Sequence, residues 1–146
     1  MKILFICHGN ICRSPMAEFI MKSLCTEAGI DAEITSGAVS DEEHGNPLYP
    51  PAARTLRAHG IPFGSHAAHQ VSAAECAAAD YVVIMDASNR RLLGWISREA
   101  ADRAVLLMSF AGQERDVADP WYTRDFEKAY EDIVAGCKGL LRNLQK

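Results

Sequence analysis

Short continuous apolar runs alternate along this chain with segments whose apolar positions recur every three or four residues. Ile3 to Ile6 is the first run; it stops at Cys7-His8-Gly9-Asn10 and predicts a buried parallel strand. Ser14-Pro15 then opens a helix, with serine as N-cap and proline at the first helical position, where a missing N–H costs nothing. Ala17, Ile20, Met21, Leu24 and Ala28 keep helical spacing, and Gly29 supplies the stop. Glu33 to Ser36 is a weak second strand. Gly37 to Pro51, rich in Gly, Pro, Asp, Glu and Asn, reads as a long surface loop. A short helix runs from Ala52 to His59 and closes at Gly60. Ser72-Ala73-Ala74-Glu75 has the capping-box pattern and opens another through Ala79. Tyr81 to Met85 is the strongest buried strand, followed by Asp86 and a helix around Asn89 to Ile96. Val105 to Met108 gives a further strand. A last helix starts at about Arg124, with Phe126, Tyr130, Ile133, Val134, Cys137, Leu140, Leu141 and Leu144 on one stripe. Strands alternating with helices predict a parallel sheet covered on both faces.

The length of 146 residues fits one domain, spanning 1–146, without repeat or linker. With 49% hydrophobic and 23% charged residues, disordered, collagen-like and coiled-coil classes are excluded. The net charge of −4 argues against a broadly basic surface for nucleic acid or an anionic membrane. An anionic ligand must therefore be held by a local device. Five cysteines without framework spacing read as reduced thiols, and no apolar run matches a signal segment or a membrane span. A cytoplasmic, monomeric protein is the expectation.

The local device is the segment Cys7-His8-Gly9-Asn10-Ile11-Cys12-Arg13-Ser14, which lies between the first strand and the first helix. Ligands of open α/β sheets bind at the carboxyl ends of strands. Backbone N–H groups of such a loop can form an anion nest, reinforced by the helix N-terminus. Gly9 opens backbone conformations closed to other residues, and Asn10 tolerates the left-handed region. Arg13 offers a planar fork to two phosphate oxygens. A cysteine at the floor of such a positive pocket is placed to act as a thiolate nucleophile, and Ser14 can donate to its sulfur. The string required of a nucleotide-binding loop is absent. Cys7 and Cys12 are too far apart for a redox Cys-x-x-Cys, and Cys7, Cys12, His66 and His69 lack the spacing of zinc ligands.

Phosphate transfer from sulfur also needs an acid for the leaving oxygen. Asp119-Pro120-Trp121-Tyr122 offers one: proline restricts Asp119 to extended conformations, and the two aromatics can line a slot for a flat ring. Alone, this stretch reads as a loop aspartate before a proline, with Trp121 and Tyr122 in the core.

Taken together, these residues resemble the low-molecular-weight protein tyrosine phosphatase family over nearly the whole chain. Cys7 to Ser14 is similar to its phosphate-binding loop and Asp119-Pro120 to its general-acid loop. Ser36, Gly45-Asn46-Pro47, Ser65-His66, Gln70 and Asp80 through Asn89 fall where that family has them. The resemblance implies a four-stranded, mostly parallel, Rossmann-like three-layer fold of the phosphotyrosine protein phosphatase I type. It implies Cys7 as nucleophile, and Arg13 with the amides of His8, Gly9, Asn10, Ile11, Cys12 and Arg13 as phosphate ligands. Asp119 then serves as general acid and base, with Asn10 left-handed and tied to Ser36 and His66, which by itself reads as a core histidine. No cofactor and no metal are implied. The expected partner is a phosphotyrosine protein, with phosphate or another oxyanion in the site. A reversible Cys7–Cys12 disulfide is also implied.

Three departures bear on specificity. Glu42 stands where an aromatic wall of the slot is usual, making that flank more polar and negative, and His69 replaces an arginine before Gln70. Trp121-Tyr122 replaces a tyrosine pair. Within the same resemblance, arsenate reductases need an extra cysteine pair, whereas Cys25, Cys76 and Cys137 are scattered on predicted helices. Protein-arginine phosphatases carry threonine where this loop has Ile11. A non-catalytic phosphotyrosine-binding module is the alternative of a different class.

Overall fold

The computed structural model describes residues 1–146. Its centre is β1 (Lys2–Cys7), whose five residues from Ile3 to Cys7 are all buried because neighbouring strands flank it and helices cover both faces. β1 pairs with β2 (Glu33–Ala38) on one side and with β3 (Tyr81–Ile84) on the other, and β3 pairs with β4 (Val105–Leu106). The order is β2-β1-β3-β4 and every pairing is parallel. Successive side chains of β1 therefore feed two different cores. Ile3, Phe5 and Cys7 join a cluster with α1 (Arg13–Ala28), α2 (Pro50–Ala58) and α7 (Phe126–Leu144). Leu4 and Ile6 join a second cluster with α3 (Ala73–Ala78), α4 (Ala87–Leu93) and α5 (Arg98–Arg103). The result is the three-layer α/β sandwich that the alternating pattern implied.

The chain leaves β1 toward β2 on one side and toward β3 on the other. This order creates a crevice at the carboxyl end of β1, where an open sheet holds its ligand.

Local departures from the pattern have identifiable causes. Ser14 does not cap α1: Cys12 takes the N-cap position without a side-chain bond, and Ser14 lies inside the first turn, its hydroxyl committed elsewhere. The expected helix around Asn89 to Ile96 starts earlier and ends at Leu93. Asp86 and Asn89 close a capping box there, a signature less familiar with asparagine at its third position. Ser97 then caps α5, a six-residue helix too short to show a period in sequence. The strand expected through Met108 stops at Leu106, because Leu107–Ala111 wind into a 3-10 turn that ends at left-handed Gly112. A four-residue helix, α6 (Pro120–Thr123), precedes α7, and Arg124 (φ 61°) separates them, so α7 begins at Phe126 under an Asp125 cap.

The 3-10 turn and α7 approach closely. A Cβ at Gly139 would overlap the carbonyl of Phe110, and one at Gly136 would meet the Leu107 side chain. Gly139→Ala is expected to destabilise the fold by about 1–3 kcal/mol or more, as overpacking against backbone does. Gly64→Ala, where nothing lies within reach of the new methyl, should stay within about 0.5 kcal/mol in the same urea titration.

Candidate active site

The loop between β1 and α1 turns back on itself through Asn10, which is left-handed at φ 62° and fully buried. Four hydrogen bonds hold it there. Its Nδ2 donates to Ser14 Oγ at 2.8 Å and to Ser36 Oγ at 3.0 Å, and its Oδ1 accepts from the His69 amide at 3.3 Å. His66 Nε2 donates to its carbonyl at 2.7 Å, a contact that assigns the proton of that ring, since a carbonyl can only accept. Ser36 in turn donates to Glu18 at 2.7 Å, and Glu18 also accepts from Lys22. Asn10, Ser14, Ser36 and His66 thus form one network joining the loop, α1, β2 and the segment before Gln70.

Cys7 stands at the floor of the loop and is 3% exposed. The Asn10 amide donates to its sulfur at 3.3 Å, and Ser14 Oγ lies 3.0 Å from it. Because Asn10 already donates to Ser14 Oγ, the serine proton is free for either Cys7 Sγ or the Gly37 carbonyl at 3.3 Å. A thiolate accepts the hydrogen bond from Ser14; a thiol can donate one to it. Cys12, the second thiol of the loop, is buried beneath it. Desolvation, with the nearby sulfur of Cys7 and carboxylate of Asp119, pushes it up to about 12, so it stays a thiol over the physiological range.

Arg13 is 2% exposed yet charged. Its Nη1 donates to Asp86 Oδ2 at 2.8 Å and to the Val117 carbonyl at 2.8 Å, and its Nη2 lies 3.3 Å from Asp119 Oδ2. Burial opposes the charge, but Cys7, Asp119 and Asp86 outweigh it and hold the guanidinium above its ordinary value. Asp119 is extended (φ −79°, ψ 111°), as its proline requires, and its Oδ1 caps α6 by accepting from the Trp121 amide at 3.0 Å.

The loop from Cys7 to Arg13, Asp119, Trp121, Tyr122, Glu42 and Glu43 line one pocket of ≈ 140 Å³. Trp121 and Tyr122 are 44% and 81% exposed, so they form a rim and are not core residues. Tyr49 backs Trp121 at a ring separation of 4.9 Å. Glu42 faces His8 at 3.4 Å. The structure therefore gathers the expected nucleophile, cradle, acid, network and slot residues at the carboxyl end of β1. It adds Asp86, Glu43, Tyr49 and Glu18. Of these only Asp86 had a signal of its own, a carboxylate immediately after the strand that neighbours β1. Cys25, Cys76 and Cys137 lie buried in three separate helices.

The segment that carries Asp119 is anchored from below. Val117 N donates to the Met85 carbonyl, and the Ala87 amide donates to Asp116 Oδ1. Arg115 makes two bonds to Asp132 of α7, at 2.8 and 3.0 Å.

Comparison with known proteins gives this arrangement a class, that of cysteine-dependent phosphatases. The sequence profile described as low molecular weight phosphotyrosine protein phosphatase matches residues 2–146, and the chain belongs to that family. It is 36% identical over 150 residues to the low molecular weight protein-tyrosine-phosphatase YfkJ of Bacillus subtilis, covering 99% of this chain and 96% of the relative. It is 37% identical over 147 residues to the human low molecular weight phosphotyrosine protein phosphatase, covering 95% and 92%. The crystal structure of YfkJ superposes with a TM-score of 0.94 over 99% of this chain and 94% of that one, at 34% identity.

The Arg115–Asp132 clamp yields a pH prediction. Hydrogen bonds from Arg115, opposed by burial, keep the Asp132 carboxyl below its ordinary range. Its contribution is therefore complete above the unfolded carboxylate value, about 3.9, and is lost as pH falls through the lower folded value. Asp132→Asn should be less stable than the parent at neutral pH, and the gap should close below about pH 4 when thermal unfolding is followed across pH. A constant gap would exclude the clamp as its source.

Proposed function

We propose that this chain hydrolyses phosphotyrosine in proteins, and small aryl phosphates, through a phosphocysteine intermediate. The observation that carries the reading is the placement of Cys7 Sγ beneath an inward-facing amide, with Arg13 and Asp119 3.3 Å apart on the same pocket wall. An incoming phosphoryl group meets sulfur, guanidinium and carboxylic acid at once.

In the first step the Cys7 thiolate attacks phosphorus in line, and the bond from phosphorus to the phenolic oxygen breaks. Arg13 and the loop amides from His8 to Arg13 take the three equatorial oxygens, where charge accumulates. Asp119, entering as the neutral acid, gives its proton to the departing oxygen. In the second step Asp119, now ionised, removes a proton from water that attacks phosphorus, the phosphorus–sulfur bond breaks, and inorganic phosphate and the thiolate are released. Ser14 donates to the sulfur as it leaves. Asp86 acts as a positioning residue, since it holds Arg13 in the orientation that the phosphate needs.

Substrate choice follows from the shape of the mouth. A phosphorylated side chain must reach past the exposed rim of Trp121 and Tyr122 to a buried sulfur, which suits a long flat ring better than a serine side chain. Ile11, bulky and branched in the lining of the pocket, favours a phenyl ring over a guanidinium. Glu42 and Glu43 make one flank acidic, so peptides acidic on that side bind less well. A monomer acting in the cytoplasm completes the reading; no helix is long and apolar enough to cross a membrane.

Phosphate release from matched phosphotyrosine and phosphoarginine peptides is the direct test. Turnover of the phosphotyrosine peptide alone is expected, with none from Cys7→Ser. Preference for phosphoarginine overturns the substrate assignment. Asp119→Asn should lower kcat on aryl phosphates by about 10²–10⁴-fold and remove one limb of the pH profile. A profile flat between about pH 5 and 8 in the parent enzyme contradicts a single carboxyl serving both steps.

A further inference from the structure

A second recess, of ≈ 340 Å³, opens between α4 and α5. Arg90, Arg91 and Arg98 stand around it with Gly94 and Trp95, and Asp102 is the one acid in its lining. None of the three guanidiniums takes part in an ion pair. Arg90 donates to the Ala101 carbonyl at 2.6 Å and Arg91 to Ser88 Oγ at 3.4 Å. Trp95 is 86% exposed, the most exposed of the large apolar side chains. The three cations have no acidic partner and the tryptophan has no cover, and in a chain of net charge −4 the group is a local exception.

We propose that this recess docks an acidic segment of the phosphoprotein on which the catalytic pocket acts. The anionic chemistry stands on the recess alone; that the segment belongs to the substrate rests on the function assigned to the pocket. Guanidinium forks match carboxylates in paired hydrogen bonds, and clusters of arginine are a recurring means of recognising acidic motifs. Trp95 offers a flat apolar face to a neighbouring side chain at little entropic cost. The site is concave, which suits side chains better than the face of a bilayer. Charge also sorts the two ends of a substrate. Glu42 and Glu43 repel an acidic segment from the catalytic mouth, while the recess, alone among the pockets described, offers three unpaired cations. The two sites are joined through one helix. α4 starts next to Asp86, whose carboxylate holds Arg13, and its seven residues rise roughly 10 Å to the recess.

The test reads the two tryptophan indole N–H signals of the ¹⁵N-labelled protein during titration with a glutamate-rich peptide that carries no phosphotyrosine. Trp95 is expected to shift and saturate while Trp121, at the catalytic pocket, stays in place. Arg91→Glu with Arg98→Glu, at two exposed and unpaired positions, should weaken binding about tenfold or more, and added salt should weaken it in the parent. With a phosphotyrosine peptide bearing the same acidic tail, the double variant should raise KM severalfold at unchanged kcat and leave a small aryl phosphate unaffected. No Trp95 shift, equal shifts of both indoles, or equal affinity in the double variant overturns the docking site. A Trp95 shift produced by phosphatidylserine vesicles and not by the peptide, or by raising protein concentration alone, overturns the peptide as occupant in favour of a membrane or a second copy. Loss of aryl phosphate turnover in the parent refutes the catalytic reading and leaves the indole result standing.

Discussion

One buried guanidinium joins the three segments that make this site. Arg13 leaves the first turn of α1 and meets Asp86 at the end of β3 and both Val117 and Asp119 in the loop before α6. A charge this buried is tolerable only because acceptors surround it; removing one partner of such an arrangement costs on the order of 3–5 kcal/mol. The same constraint is useful chemically. The fork is already oriented and largely desolvated, so in the proposed reaction it would meet a phosphoryl group without the reorganisation that water would demand.

The loop proposed to supply the remaining phosphate ligands is held by a different device. Asn10 is forced into a conformation that most residues avoid, and its amide side chain, carbonyl and neighbours are satisfied from β2, α1 and the segment around His66 and His69. Each bond is worth about 1 kcal/mol, yet each buried group left unpaired costs 1–3 kcal/mol, so the network is cooperative in the sense that no member is dispensable. Its product is geometric: one amide aimed at Cys7 Sγ and a serine hydroxyl beside it. The helix lacks a side-chain cap at its start, which leaves its first amides without a side-chain acceptor at the pocket.

Asp119, the proposed acid, arrives on a third element that is held from below. Two residues before Asp119 the strand-like contact of Val117 with Met85 fixes the segment to the sheet, and Arg115 fixes it to α7. α6, capped by the same Asp119, carries Trp121 and Tyr122 to the rim. Asp119 and the two rim aromatics are therefore placed by one short element. Across the mouth, the long loop after β2 contributes only Glu42 and Glu43, which leaves that side polar.

Much of this was legible in the chain itself. The buried runs at Ile3–Ile6 and Tyr81–Met85, the helical stripe up to Leu144, and the Cys7-to-Ser14 segment between strand and helix specify a parallel α/β sheet with a candidate anion-binding loop at the carboxyl end of its first strand. Local chemistry is enough for these, because burial periodicity, glycine and proline act over a few residues. The sequence could not show that Ser14 gives up capping to serve Cys7, that Asp86 is the partner of Arg13 across 73 positions, or that Leu107–Ala111 curl away from the sheet. Those outcomes depend on which buried polar groups find acceptors in distant segments, and that competition is settled only when the layers pack. The same holds for Arg90, Arg91, Trp95 and Arg98, which the sequence places only on or just after the helix around Asn89 to Ile96. They become one basic recess because α5, too short to be foreseen, folds back against α4.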